Sequence, residues 1–171
     1  NGGGTLPNSS RIAARFTNEK ILTGYIQHKT GPGHNDFSEL EPIYLEPSNS
    51  IRWQKKVVLL TNRRCYSATN DFVNLMRSVN KEGEEPRIIQ VGDRTGGGSG
   101  LPFTSELPNG WSIRFSASPH YDKHRQPLEE GIAPDVYVNM DQLLEEGLAQ
   151  GDKESQRKDP LIEKAFQLLS K

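Results

Sequence analysis

Lys56-Val57-Val58-Leu59-Leu60-Thr61-Asn62-Arg63-Arg64-Cys65-Tyr66-Ser67-Ala68-Thr69-Asn70-Asp71-Phe72-Val73-Asn74-Leu75-Met76-Arg77-Ser78-Val79 is the stretch that decides the fold class. Residues 56–61 are a short, almost unbroken apolar run, the pattern of a strand buried on both faces of a parallel sheet. Residues 62–66 form a polar link. Residues 67–79 read as a helix, with Phe72, Val73, Leu75, Met76 and Val79 as its buried stripe and Ser67 at its start. A strand, a short link and a helix in that order are the building unit of an α/β domain.

The flanking chain supports this reading. Upstream, residues 9–16 predict a helix capped by Ser9 or Ser10. Residues 21–27 predict a strand with Gly24 inside it, and residues 29–50, rich in Gly, Pro, Asn and Glu, a long surface loop. Downstream, residues 87–91 predict a second buried strand, followed by residues 92–100 with five glycines among nine positions. Residues 103–107 and 111–117 flank Pro108-Asn109-Gly110 and predict a hairpin. Residues 120–130 are polar, and residues 136–138 predict a short strand. Helices are expected over 141–150 and 160–169, the second with Pro160 in its first turn, joined by a charged linker over 151–158. There is no internal repeat. The whole, residues 1–171, reads as one α/β domain.

The composition excludes several classes. Lys plus Arg number 21 against 22 Asp plus Glu, a net charge of −1, which argues against a non-specific nucleic-acid binder or a polybasic membrane module. One cysteine excludes an internal disulfide framework and a cysteine-type zinc site. No apolar run approaches the roughly 18 residues of a membrane span. The chain opens Asn1-Gly2-Gly3-Gly4, without Met, which leads us to expect that it begins inside a loop of something larger.

Chemistry concentrates in the loops. A serine at a helix start faces unpaired N–H groups and the positive end of the helix dipole. Ser67 is therefore either a plain N-cap or a nucleophile whose neighbouring N–H groups hold an oxyanion. Glycines 2–4 and 96–98 allow close approach of the backbone to a ligand, and serve equally well in a flexible turn. No Gly-Lys-Ser/Thr follows the second cluster, so it is not a phosphate loop.

In order, the chain carries Asn-Gly-Gly-Gly, a strand leading to Ser67-Ala68 and a helix, Gly92-Asp93-Arg94-Thr95-Gly96-Gly97-Gly98, and Glu130-Gly131-Ile132-Ala133-Pro134-Asp135-Val136. This ordered set resembles the core domain of the S41 serine peptidases. These are the tail-specific or C-terminal-processing proteases, with tricorn-like and interphotoreceptor retinoid-binding-like relatives. The resemblance spans residue 1 to about Val138. It implies a ClpP/crotonase-like fold, a spiral of β-β-α units with an added β-hairpin. It implies Ser67 as nucleophile, with an oxyanion hole from the N–H of Ala68 and of a glycine among residues 2–4, taken as Gly3. It further implies a polypeptide substrate, no metal or nucleotide cofactor, and no nucleic-acid partner. An exported enzyme of the bacterial periplasm or cell surface is expected. The upstream part would supply the signal or lipid anchor, a recognition domain of PDZ type and the strand leading into Asn1. A homo-oligomer is expected because other members of the fold assemble.

Three departures stand against the family pattern. The glutamate of Ser-Ala-x-Glu is Asn70 here. The general-base lysine expected after Gly92-Asp93-Arg94-Thr95-Gly96-Gly97 is Gly98, and the glutamine beyond it is replaced by Pro102. A serine hydroxyl needs an adjacent base. The Thr-Gly-Gly-Gly loop is closer to the tricorn-like branch, whose base is an upstream histidine assisted by a glutamate; Glu130, or Glu129, fits that glutamate position. His28, His34, His120 and His124 are in-chain alternatives, each also readable as a solvated loop histidine. Arg63 and Arg64 read either as exposed loop charges or, since Arg binds carboxylates bidentately, as a receptor for a substrate C-terminal carboxylate beside Ser67, with Gly97 and Gly98 lining the substrate path. Trp53 and Trp111 are expected to pack at strand edges, Asp135 to fix a strand entrance, and Cys65 to be a buried free thiol. The alternative to a peptidase is a non-catalytic relative that binds a peptide or apolar ligand.

Overall fold

The computed structural model describes residues 1–139 and 159–170. Helix α1 (Leu6–Ala13) runs into a single 3-10 turn (Ala14–Phe16). It begins earlier than expected because Pro7 is tolerated in a first turn, where an N–H has no partner to lose. Ser9 is therefore inside the helix. It is buried, and its hydroxyl donates to the carbonyl of Ala68 at 2.8 Å rather than capping α1.

Three sheets follow. The first has the order β2-β1-β7, all antiparallel, from β1 (Ile21–Ile26), β2 (Glu41–Leu45) and β7 (His120–Asp122). Strand β2 lies inside the region read as a long loop. Pro42 masked it in the sequence, but β2 is an edge strand, where a missing donor costs nothing. Strand β7 was likewise hidden in the polar run 120–130. The second sheet is parallel, β3 (Val57–Thr61), β4 (Ile88–Gly92) and β8 (Val136–Tyr137), with β4 in the middle. Strand β4 is buried, whereas Leu60 of the edge strand β3 is 42% exposed. The expectation that β3 is covered on both faces is thus corrected: Leu60 lines an open cleft. The third sheet is the hairpin β5 (Pro102–Glu106) and β6 (Ser112–Ser116).

Helix α2 (Ala68–Ser78) packs between the first two sheets. Its Leu75 and Met76 join Ala13, Leu45 and Ile88 in the core, with Phe72 and Val79 packed against them. The predicted stripe is therefore the stripe used. Asp135 accepts the Gln90 N–H of β4 at 2.8 Å and an Arg77 N–H at 2.8 Å, and so fixes the approach to β8. Helix α3 (Pro160–Leu169) is capped by Asp159, whose carboxylate accepts from Leu161 N–H at 2.9 Å, and it lies against β3 and β4. The helix and linker expected over 141–158 lie outside the described residues. Trp53 and Trp111 do not pack as expected: they are 48% and 71% exposed. Trp111 follows the tight turn of the hairpin, where no other element among the described residues covers it.

Candidate active site

The link from β3 to α2 ends in a sharp elbow at Ser67. Its backbone sits at φ 57°, ψ −129°, a region that favours glycine and costs another residue on the order of 1–3 kcal/mol. The cost is met by bonds on both sides. Ser67 N–H donates to the Gly97 carbonyl at 2.8 Å, and the Ser67 carbonyl accepts from Asp71 N–H at 3.1 Å. Cys65 and Tyr66 add two ties: Gly96 N–H donates to the Cys65 carbonyl at 2.8 Å, and Tyr66 N–H to the Asn1 carbonyl at 3.3 Å. The Ser67 side chain makes no capping bond. A plain cap would occupy extended backbone and bond the helix N–H groups; Ser67 does neither.

The elbow brings distant residues together. Gly3, at φ 102°, lies against it so closely that a Cβ there would sit 2.7 Å from the Tyr66 carbonyl oxygen and 2.8 Å from Ser67 Cβ. Its N–H donates to Asn1 Oδ1 at 3.1 Å. The N–H of Ala68, first in α2, has no preceding helical carbonyl to bond. Gly3, Ser67 and Ala68 thus converge. A cleft of about 570 Å³ opens beside Gly3 and Ala68, with Ile12, Leu59, Leu60 and Phe72 on its apolar side.

The glycine loop closes the other side. Gly97, at φ 79°, has no room for a side chain, because a Cβ would overlap the carbonyl oxygen of Glu129. Gly98 N–H donates to that same carbonyl at 3.1 Å. Glu129 and Glu130 are therefore beside the loop that holds Ser67. Both are exposed, and the Glu129 carboxylate accepts from Ser116 Oγ at 3.0 Å. Arg63 donates to the Thr95 carbonyl at 3.1 Å and braces the loop, so it is not simply an exposed charge; Arg64 is exposed. Cys65 is a buried free thiol.

Asn70, which stands where the resemblance leads one to expect glutamate, is completely buried. Its amide nitrogen donates to Ser99 Oγ at 2.8 Å and to the Leu128 carbonyl at 3.0 Å. Its oxygen accepts from Thr95 Oγ1 at 2.5 Å, and Thr95 Oγ1 in turn accepts from Ile132 N–H at 2.7 Å. An amide both donates and accepts; a carboxylate could only accept here. The substitution therefore suits its surroundings.

No histidine reaches Ser67 Oγ. His28 pairs with Ser118 at 3.0 Å, and His34 and His124 are exposed. His120 is not a solvated loop residue: it is 7% exposed, and its Nδ1 lies 2.9 Å from Asp71 Oδ1. It was missed because its burial depends on β7 adding to β1, which nothing local signals. Among the described residues no hydrogen-bond partner is found for Ser67 Oγ, and no three His, Cys, Asp or Glu residues are grouped to hold a metal.

The profile of peptidase family S41 matches residues 1–138. The chain belongs to peptidase family S41. A Parabacteroides merdae protein, described as a candidate peptidase, is 53% identical with a TM-score of 0.85; the alignment covers 99% of this chain and 49% of that one. This chain thus spans about half the length of that relative. The S41 fold recurs in the photosystem II D1 C-terminal processing protease (19% identity, TM-score 0.58, 81% of this chain and 32% of that one). It recurs also in mature CPAF (14% identity, TM-score 0.65, 81% and 37%). No curated protein matches the chain. The S41 core here is the mixed α/β, ClpP/crotonase-like arrangement that the family resemblance implied.

Proposed function

We propose that this S41 chain is the catalytic core of a serine endopeptidase acting on polypeptides. The observation that carries the reading is the strained, uncapped Ser67 at the start of α2. Ser67 Oγ attacks the scissile carbonyl carbon and gives its proton to a base. The tetrahedral oxyanion is held by the N–H of Ala68 and of Gly3, where it replaces Asn1 Oδ1, the neutral amide oxygen to which Gly3 N–H donates. The C–N bond then breaks, the amine takes the proton, and water hydrolyses the acyl-serine. The base comes from the part of the protein beyond this chain, with Glu130 orienting it. Arg64 beside the elbow, together with Arg63 and the loop of Gly97 and Gly98, borders the path of the substrate and suits a C-terminal carboxylate. The enzyme is exported and works at a bacterial periplasm or cell surface.

The test is intact mass after incubation of the full-length protein with a fluorophosphonate, beside Ser67→Ala. One adduct on wild type and none on the variant is expected. No adduct on folded full-length protein favours the second reading, a non-catalytic S41 relative that binds a peptide or apolar ligand. That reading draws on one observation, the lack of any base at Ser67 Oγ among the described residues. The 171-residue chain alone is expected to turn over little or no polypeptide.

A further inference from the structure

The mechanism above leaves one buried titratable pair without a task. His120 on β7 and Asp71 in the first turn of α2 lie 49 positions apart, and their side chains are 8% and 13% exposed. A carboxylate only accepts, so His120 Nδ1–H is the donor, at 2.9 Å. The other ring nitrogen, Nε2, is buried and has no hydrogen-bond partner. The pair borders a small cavity of about 80 Å³, which Leu6, Ser9, Thr23 and Leu128 also line. His120 is therefore not hydrogen-bonded to Ser67 and is not its base. It reaches Ser67 through Asp71.

We infer that His120 is a positioning residue for Ser67, acting through Asp71; this rests on the nucleophile reading above. Two connections carry the effect. Asp71 N–H closes the first turn of α2 by donating to the Ser67 carbonyl, so holding Asp71 holds the elbow. And the first turn of a helix presents unpaired N–H groups that attract any nearby carboxylate. An untethered Asp71 would compete for the end of α2 where the proposed oxyanion sits; His120 draws its carboxylate aside to β7. His120 is itself anchored, since its carbonyl accepts from Leu128 N–H at 2.9 Å and the Leu128 carbonyl accepts from Asn70. Both acidic and amide positions of the first turn are thereby tied to one segment, the one that leads on to Glu129 and Glu130.

The experiment uses full-length protein and two readouts. One is the second-order rate of Ser67 labelling by the fluorophosphonate; the other is hydrogen exchange at the amides of residues 68–71 against those of residues 75–78. His120→Leu removes the donor, and labelling is expected to slow about ten- to a hundredfold, the effect of losing one charge-assisted hydrogen bond. Exchange should rise in the first turn of α2 and stay unchanged in the last. His120→Asn places an amide N–H near the position of Nδ1 and should restore both. Where His120→Leu fails to fold because Asp71 is left charged and buried, Asp71→Asn with His120→Leu leaves no buried charge and should show the same slow labelling. Equal labelling and exchange in the Leu and Asn variants overturns the inference. If wild type does not label at all, the nucleophile reading fails, and exchange alone decides whether His120 holds the first turn.

Discussion

The elbow at Ser67 and the hairpin β5–β6 sit at opposite extremes of the same molecule. The elbow is a strained turn whose backbone is gripped by polar bonds from residues 1–3, 96–99 and 120–132. The hairpin is unstrained, and all ten of its strand residues are exposed, including Phe103, Ile113 and Phe115. Beyond the hydrogen bonds of its ladder, its strands are joined by one tilted ring pair, Phe103 with Phe115 at 5.5 Å between centroids, and β6 is tied to the rest of the protein by Ser116 Oγ, which donates to the Glu129 carboxylate at 3.0 Å. A lone two-stranded hairpin is marginal in water. Strain is tolerated where many independent contacts over-determine the backbone, and regularity alone does not make a segment stable. The two regions should therefore respond very differently to substitution.

The largest effect is expected at the loop that grips the elbow. Gly97→Ala combines a positive φ with an overlap against the Glu129 carbonyl. It should cost on the order of 3–5 kcal/mol, read as a large fall in thermal midpoint together with loss of Ser67 labelling. Asn70→Ala should follow at about 2–4 kcal/mol in chemical unfolding, since it removes three buried hydrogen bonds, those with Thr95 Oγ1, Ser99 Oγ and the Leu128 carbonyl. Ser67→Gly should move the other way. It relieves the strained φ and is expected to raise stability by about 1 kcal/mol while abolishing the adduct. A stability loss there would mean that the elbow is not strained and would erase the contrast. The smallest effects belong to the hairpin. Phe103→Thr removes the ring pair and should cost about 0.5–1.5 kcal/mol locally, seen as faster exchange of the β5 and β6 amides with little change in the global transition. Trp111→Ser should stay within about 0.5 kcal/mol. A large global loss from either would show that the hairpin is part of the cooperative core.

Much of this was legible in the chain. The strand-link-helix at residues 56–79 appears within a residue or two of its place, the hairpin turn at Pro108-Asn109-Gly110 is where it was expected, and the buried stripe of α2 is the predicted one. These features depend on side-chain periodicity and on turn residues, both local properties. Strand β2 was not legible, because Pro42 is a breaker except at an edge, and only pairing with β1 reveals that edge. Strand β7 was hidden in the same way by its polar composition. At the site, Ser67 itself was visible, but its choice between cap and elbow was not: both put a serine before a helix, and only φ separates them.

What the sequence by itself determined is the class of fold, the order of its motifs and the placing of Ser67 at the start of a helix, because spacing, turn chemistry and apolar periodicity act over a few residues. The tertiary structure decided which residues surround that serine. Ser9 meets Ala68 across 59 positions, Asn70 meets Leu128 across 58, and His120 meets Asp71 across 49. Such pairs form only after burial has withdrawn water from both partners, and which partners meet is set by how the strands add to their sheets.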